Sequence, residues 1–214
     1  MGIAERKERD KNRRREEILY AAEKLFFTKG IESTTMDDVA EKAELSKGTL
    51  YLYFKSKEEI HWEITQRHMD QVMERMKNRL DPEKNAIENL KIMAEVFIDH
   101  FNEEHAVAHS ILFFQSVDLN KLNLDIDQIN KSFIENSPIH LVTEYVSKGV
   151  EEGMIRNDIP VEALSTTLWA QLMGVMQIII MKKDLFELIH VKGEDIIKSH
   201  IQIVLNGIIR NHEK

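Results

Sequence analysis

The chain has 214 residues but no cysteine, three prolines, eight glycines and only 7% aromatic residues. Without cysteine there can be neither disulfides nor thiolate metal sites, and nothing points to an oxidising compartment. The three prolines stand beside expected helix boundaries, and no repeat or low-complexity linker interrupts the sequence. An apolar leader is also lacking, since the first fifteen residues are charged. The most apolar run, Met173 to Met181, is broken by Gln177 and followed by Lys182, Lys183 and Asp184. That run is shorter than the roughly 20 residues needed to cross a bilayer. The expectation is a soluble, cytoplasmic protein with no membrane segment, long enough to bury a core without staples.

Charge is present but unevenly placed. The net charge is −8, which alone argues against a polyanionic partner. Residues 1–57, however, carry 13 Lys or Arg against 11 Asp or Glu, whereas the remaining residues carry 16 against 26. The segment Arg6 to Arg15 holds seven basic and two acidic residues. An acidic body behind a basic end orients a protein on a polyanion. The segment itself reads equally as a solvated helix extension, a disordered arm or a phosphate-contacting arm.

Helical periodicity dominates. A first helix is expected from Glu8 or Lys11 to Lys29, with Ile18, Ala21, Ala22, Leu25 and Phe26 on one face and Gly30 as its stop. A long helix is expected from Lys57 to about Leu80, ended by Asp81 and Pro82. Further helices are expected over Glu83–Phe101 and Ala106–Leu119, then another after an irregular stretch near Asn120–Asp125. Ser137 caps a helix opened by Pro138 and reaching Glu152, where Gly153 ends it. Two more run from Val161 to about Lys183 and from near Gly193 to Asn211. No strand pattern stands out, so the fold class is all-α. The junction between residues 1–57 and 58–214 is expected inside the fourth helix.

Residues 33–57, STTMDDVAEKAELSKGTLYLYFKSK, carry the most information. Thr35 precedes an apolar-periodic run of Met36, Val39, Ala40 and Ala43, with Asp38 three residues on as an acidic capping box. Ser46 signals a second helix start almost at once, and Ser56 with Glu59 a third. Helices this short cannot stand alone in water. The second presents Lys47, Gly48, Thr49, Tyr51 and Tyr53 outward while Leu50 and Phe54 face inward. Lys47 and Thr49, near its N-terminal end, suit base edges in a DNA major groove, and Gly48 permits close backbone approach. The phenols of Tyr51 and Tyr53 suit phosphates. The blander reading makes them half-buried core aromatics and Thr35 merely a cap.

Ile18, Ala21, Ala22, Leu25, Phe26, Gly30, Thr34, Thr35, Val39, Ala40, Ala43, the run Ser46 to Tyr51, Tyr53, Phe54, Lys57 and Glu58 form one pattern. On these residues the first quarter of the chain resembles the DNA-binding domain of the TetR family of transcriptional repressors. The resemblance implies a three-helix helix-turn-helix domain in residues 1–57 and a helical ligand-binding and dimerisation domain in residues 58–214. It implies DNA contacts from Thr34, Thr35, Ser46, Lys47, Gly48, Thr49, Tyr51, Tyr53 and Lys57, with Thr35, Tyr53 and Lys57 as phosphate clamps. One departure is Glu44, where many members of the family place glycine in the turn. A non-glycine residue there is strained if its φ is positive.

In the acidic part, Trp62, Phe97, Phe101, Phe113, Phe114, Trp169, Met173 and Met176 are candidates for lining a cavity, although each alone reads as ordinary core. The last two long helices are more apolar than one small domain needs. The resemblance implies that they meet a twofold mate, and Leu168, Leu172, Val175, Ile179, Ile197, Ile201, Val204 and Ile208 are the candidates. The function implied is a homodimeric, ligand-responsive repressor. It would bind a palindromic double-stranded DNA operator and be released by a small apolar or aromatic molecule. No catalysis, metal or cofactor is expected.

Two rival readings exist. Glu58 with His61 and Glu187 with His190 have the spacing of di-iron helical bundles, but two further inward carboxylates are lacking. His100, His105 and His109 do not share one helical face. The other rival is a protein-interaction module with vestigial DNA binding.

Overall fold

The computed structural model describes residues 2–103 and 137–210. Among them are nine helices: α1 (Ile3–Lys29), α2 (Met36–Lys42), α3 (Lys47–Tyr51), α4 (Lys57–Arg79), α5 (Ala86–Glu103), α6 (Pro138–Glu151), α7 (Val161–Met181), α8 (Lys183–Leu188) and α9 (Gly193–Ile208). The all-α class is therefore as expected. The helix expected over Ala106–Leu119, the irregular stretch near Asn120–Asp125 and the helix after it lie outside the described residues, as do Phe113, Phe114, His105 and His109.

The described residues form two compact units, and the chain passes from the first to the second within α4, between His68 and Met69. In the first, Ile18, Leu19 and Ala22 of α1, Val39 and Ala40 of α2, Leu50 of α3, Phe54, and Ile60 and Ile64 of α4 make one core. Both short helices depend on it, since α2 has seven residues and α3 five. Ionic contacts join α1 to α4 around this core. The Arg15 guanidinium lies over the Phe54 ring and pairs with Glu63, while Arg67 and His68 both reach Glu23. Burial opposes ionisation of Glu23, but the hydrogen bond and charge of His68, together with Arg67, outweigh it and hold the carboxyl below the ordinary range.

Helix α1 begins at Ile3, earlier than the expected Glu8 or Lys11. The Glu5 carboxylate accepts the Gly2 amide at 2.8 Å, and Arg13 and Arg14 pair with Asp10 and Glu17 one turn away. These local pairs extend the helix where no apolar face exists to do so.

In the second unit, α6 packs against α5 and α7, and α7 packs against α8 and α9. Helix α5 starts three residues later than its periodicity suggests, because Asn85 and Glu88 form a reciprocal cap. The buried Asn89 amide then donates to the carbonyls of Asp81, Lys84 and Asn85, closing the α4–α5 turn. Ser137 caps α6 as expected, and Gly153 ends it with φ 71°. A β-carbon on Gly149 would stand 2.4 Å from Ile155 Cδ1, so glycine there admits Ile155 to the core. One isolated antiparallel bridge, Ile155 with Ile209, ties the loop after α6 to the end of α9.

Helix α7 ends at Met181, and α8 follows as a separate element not anticipated from sequence. The run Met173 to Met181 is short, yet α7 as a whole is long and apolar enough to cross a membrane by length and composition, and 28% of its most apolar stretch is buried.

Candidate nucleic-acid interface

The α2–α3 segment is set by caps and one strained turn. Thr35 Oγ1 accepts the Asp38 amide at 3.1 Å and the Asp38 carboxylate accepts the Thr35 amide at 2.7 Å, the reciprocal box expected. Lys29, at the end of α1, pairs with the same carboxylate at 2.8 Å. Hydrogen bonds from Lys29 and Thr35 hold Asp38 well below the usual carboxylate range. After α2 the chain reverses at Glu44, whose φ is 55°. The Leu45 amide reaches back to the Ala40 carbonyl at 2.8 Å. Glycine would suit this position better.

Ser46 opens α3 by accepting the Thr49 amide at 3.1 Å, and its hydroxyl lies 2.8 Å from that of Thr49. Leu50 and Phe54 are fully buried, which fixes the rotation of the helix. Lys47, Gly48 and Tyr51 are exposed and Thr49 is half-buried. A β-carbon on Gly48 would meet only Ser46 Oγ, at 3.9 Å, so the fold does not require glycine there. Tyr53 is half-buried and packs on the core. Leu52, not singled out from sequence, is 83% exposed beside Tyr51.

Two residues implied as DNA contacts make hydrogen bonds to the turn after α1. Thr34 is buried and its hydroxyl donates to the Gly30 carbonyl at 2.7 Å, so it holds the turn after α1. The Lys57 ammonium, implied as a phosphate clamp, is held at the turn after α1. It donates to the carbonyls of Ile31, Glu32 and Thr34 at 2.8, 3.0 and 3.1 Å. A turn that collects three outward carbonyls is a site for a cation, and periodicity in α4 could not reveal it. Ser56 caps α4 by accepting the Glu59 amide, while the Glu59 carboxylate reaches the amide of Lys55, one residue earlier than in a regular box.

The second unit contains an apolar cavity of about 80 Å³, walled by Met93, Val142, Trp169, Leu172, Ile201 and Leu205 among others, with Lys91 and His200 as its basic groups. Burial lowers the His200 pKa. Of the cavity candidates, Trp169 lines it, and its indole meets the Phe97 ring at 5.0 Å. Phe97, Phe101, Met173 and Met176 are buried core, and Trp62 is buried in the first unit. Of the interface candidates, Leu168, Leu172, Ile201, Val204 and Ile208 face this cavity, Ile197 is buried, and Val175 and Ile179 are half-buried. The uncovered apolar side chains include Ile178 (55% exposed), Met181 and Ile203 (70%) on α7 and α9, and Leu188 and Ile189 at the end of α8. Among the described residues no three His, Asp or Glu side chains gather as a metal-holding group.

A short capped helix, rotated by its buried face to show small, basic and hydroxylated residues, defines a helix-turn-helix DNA-binding protein. Residues 18–63 match the family described as bacterial regulatory proteins, tetR family, and residues 65–206 match the YsiA-like C-terminal region. The chain belongs to the TetR family of transcription regulators, which is not an enzymatic family, and its C-terminal part is of the YsiA-like kind.

Its relatives include the HTH-type transcriptional repressor KstR2 of Mycobacterium tuberculosis, 28% identical over 71% of this chain and 74% of that protein. Another is the fatty acid metabolism regulator protein of Bacillus subtilis, 23% identical over 90% and 94%. The HTH-type transcriptional activator FasR of Mycolicibacterium smegmatis is 30% identical over 103 residues, and the match spans 47% of its length. Among solved structures, the fatty acid degradation regulator FadR of Bacillus halodurans shares the fold with a TM-score of 0.72 at 20% identity, covering 91% of this chain and 95% of that one.

Proposed function

We propose that the chain is a homodimeric repressor that reads a pseudo-palindromic operator with α3 and leaves it when a small apolar molecule binds in residues 58–214. The observation that carries this reading is the rotation of α3. Leu50 and Phe54 are sealed in the core while Lys47, Gly48, Thr49 and Tyr51 stand at its outer side. Lys47 and Thr49 would meet base edges, Thr35 and Ser46 would frame the helix starts, and Tyr51 and Tyr53 would meet phosphates.

Dimerisation is supported by the bare apolar side chains of α7 and α9, Ile178, Met181 and Ile203, which a second copy would cover. An apolar effector is supported by the cavity wall and by the names of relatives that regulate fatty acid metabolism. Coupling would run through α4, which carries Met76 in the cavity wall and Arg67 and His68 in contact with α1. The effector must bind the two states with different affinity, since equal affinity shifts nothing. Repressor polarity follows KstR2 rather than the activator FasR, whose match covers about half of each chain. Such a protein works in the cytoplasm, where its operator lies.

Selection of bound fragments from random duplex DNA tests the reading. A twofold-symmetric consensus with half-sites about one helical turn apart is expected. Fragments enriched without symmetry, or none enriched, would refute it.

A further inference from the structure

Between Glu5 and Arg13, α1 has nothing to bury. Residues 4–13 are all exposed, and from Glu5 to Glu17 there is no apolar side chain. A helix that is polar all round needs a bridging role, local ion pairs or a partner. Ion pairs account for part of it: Arg13 and Arg14 engage Asp10 and Glu17, and the Glu5 carboxylate accepts the Gly2 amide. Arg6, Lys7, Arg9 and Lys11 make no ion pair among the described residues.

Helical spacing sorts these charges. Lys7, Lys11 and Arg14 recur at steps of four and three and continue the line along which Ile18 and Leu25 pack on the core. Arg6, Arg9 and Arg13 form a second stripe on the far side of the helix, with Asp10 and Glu17 between the two, while Glu5, Glu8, Asn12 and Glu16 share the remaining face. The unpaired cations therefore stand in two stripes on the overhang, Lys7 with Lys11 and Arg6 with Arg9, with Asp10 between them.

Its place relative to α3 is fixed by Arg15, which donates to the Tyr53 carbonyl at 3.2 Å and lies over Phe54. The overhang thus starts beside the C-terminal end of α3 and runs about 18 Å further, at 1.5 Å per residue. We propose that this overhang is a second DNA-contacting element, a helical outrigger whose Arg6, Lys7, Arg9 and Lys11 bind backbone phosphates flanking the operator. The inference rests on the DNA-reading role of α3 proposed above. A rigid helix with separated cations meets phosphates without reading bases, so its contribution is independent of flank sequence.

The test compares the full-length protein with the variant Arg6→Gln, Lys7→Gln, Arg9→Gln, Lys11→Gln on two duplexes. One ends at the selected operator, and the other adds about ten base pairs to each side, one further helical turn. The wild type is expected to bind the longer duplex more tightly, with a log–log salt slope steeper by about 0.9 for each cation that reaches a phosphate. The variant should bind both duplexes alike and match the wild type on the short one, and scrambling the flanks should change nothing. A wild type indifferent to flank length, a readout independent of how the variant behaves, would overturn the outrigger while leaving α3 in place. So would a variant that keeps the flank gain. Failure of the wild type to bind the short operator would instead remove the reading on which the inference rests.

Discussion

Lys47 and Asp37 stand on consecutive helices of the helix-turn-helix and are joined by an ion pair, Nζ to Oδ1, of 2.7 Å. The hydrogen bond and charge of Asp37 raise the Lys47 pKa. The first cation of α3 is therefore already paired, and in the proposed complex it would meet DNA in that state. Asp37→Asn would release the ammonium and remove a negative charge from the same face. Binding to non-specific duplex is expected to tighten, and its salt slope to steepen by about 0.9, the effect of one added phosphate contact. Anisotropy titrations across a salt series would show this. An unchanged slope would mean that Lys47 is not aimed at DNA.

Lys57 gives a different expectation from a phosphate clamp. Its ammonium serves the carbonyls of Ile31, Glu32 and Thr34. Lys57→Ala should lower stability by about 1–3 kcal/mol, because the turn loses a charged donor. Urea unfolding measures this directly. An unaltered midpoint together with weakened DNA binding would restore the phosphate role.

Glu44, at φ 55°, occupies a conformation that disfavours any side chain. Glu44→Gly is expected to raise stability by up to about 1 kcal/mol, relief of left-handed strain being partly offset by the freer unfolded chain. A fall in melting temperature would show that the Glu44 side chain contributes more than its backbone costs.

Glu23 supplies a pH dependence. Its carboxyl pKa lies below the ordinary value of 4.5 in the folded protein, so folding favours the ionised form. The stability it contributes is complete above about pH 4.5 and is lost as pH falls through the lowered folded value. Glu23→Gln should therefore unfold at lower urea than wild type at pH 7, and the gap should close on acidification. A gap that persists undiminished below pH 3 would assign the effect to packing.

The helix starts were legible because capping is local chemistry: Thr35, Ser46, Ser56 and Ser137 each accept the amide three residues on. The inward face of α3 was legible as well, through Leu50 and Phe54. What lay hidden depends on partners distant in sequence. Lys57 finds its carbonyls more than twenty residues earlier, and Arg15 finds Glu63 across the core. Nor can periodicity separate the two sides of helices as apolar as α7 and α9. Ile179 and Ile201, expected at a dimer surface, are half-buried here, and Ile178, Met181 and Ile203 are among the bare side chains. The early start of α1 was missed because mixed charge reads alike in a solvated helix and a loose arm.

The most direct measurement of the central claim is the affinity of Thr49→Ala for the selected operator and for each of its single-base variants. The Ser46 hydroxyl would still accept the backbone amide at position 49, so the helix keeps its cap. A loss of about 1–3 kcal/mol is predicted, with discrimination relaxed at one base position repeated symmetrically in the two half-sites. Wild-type affinity with an unchanged base-preference profile would contradict the account.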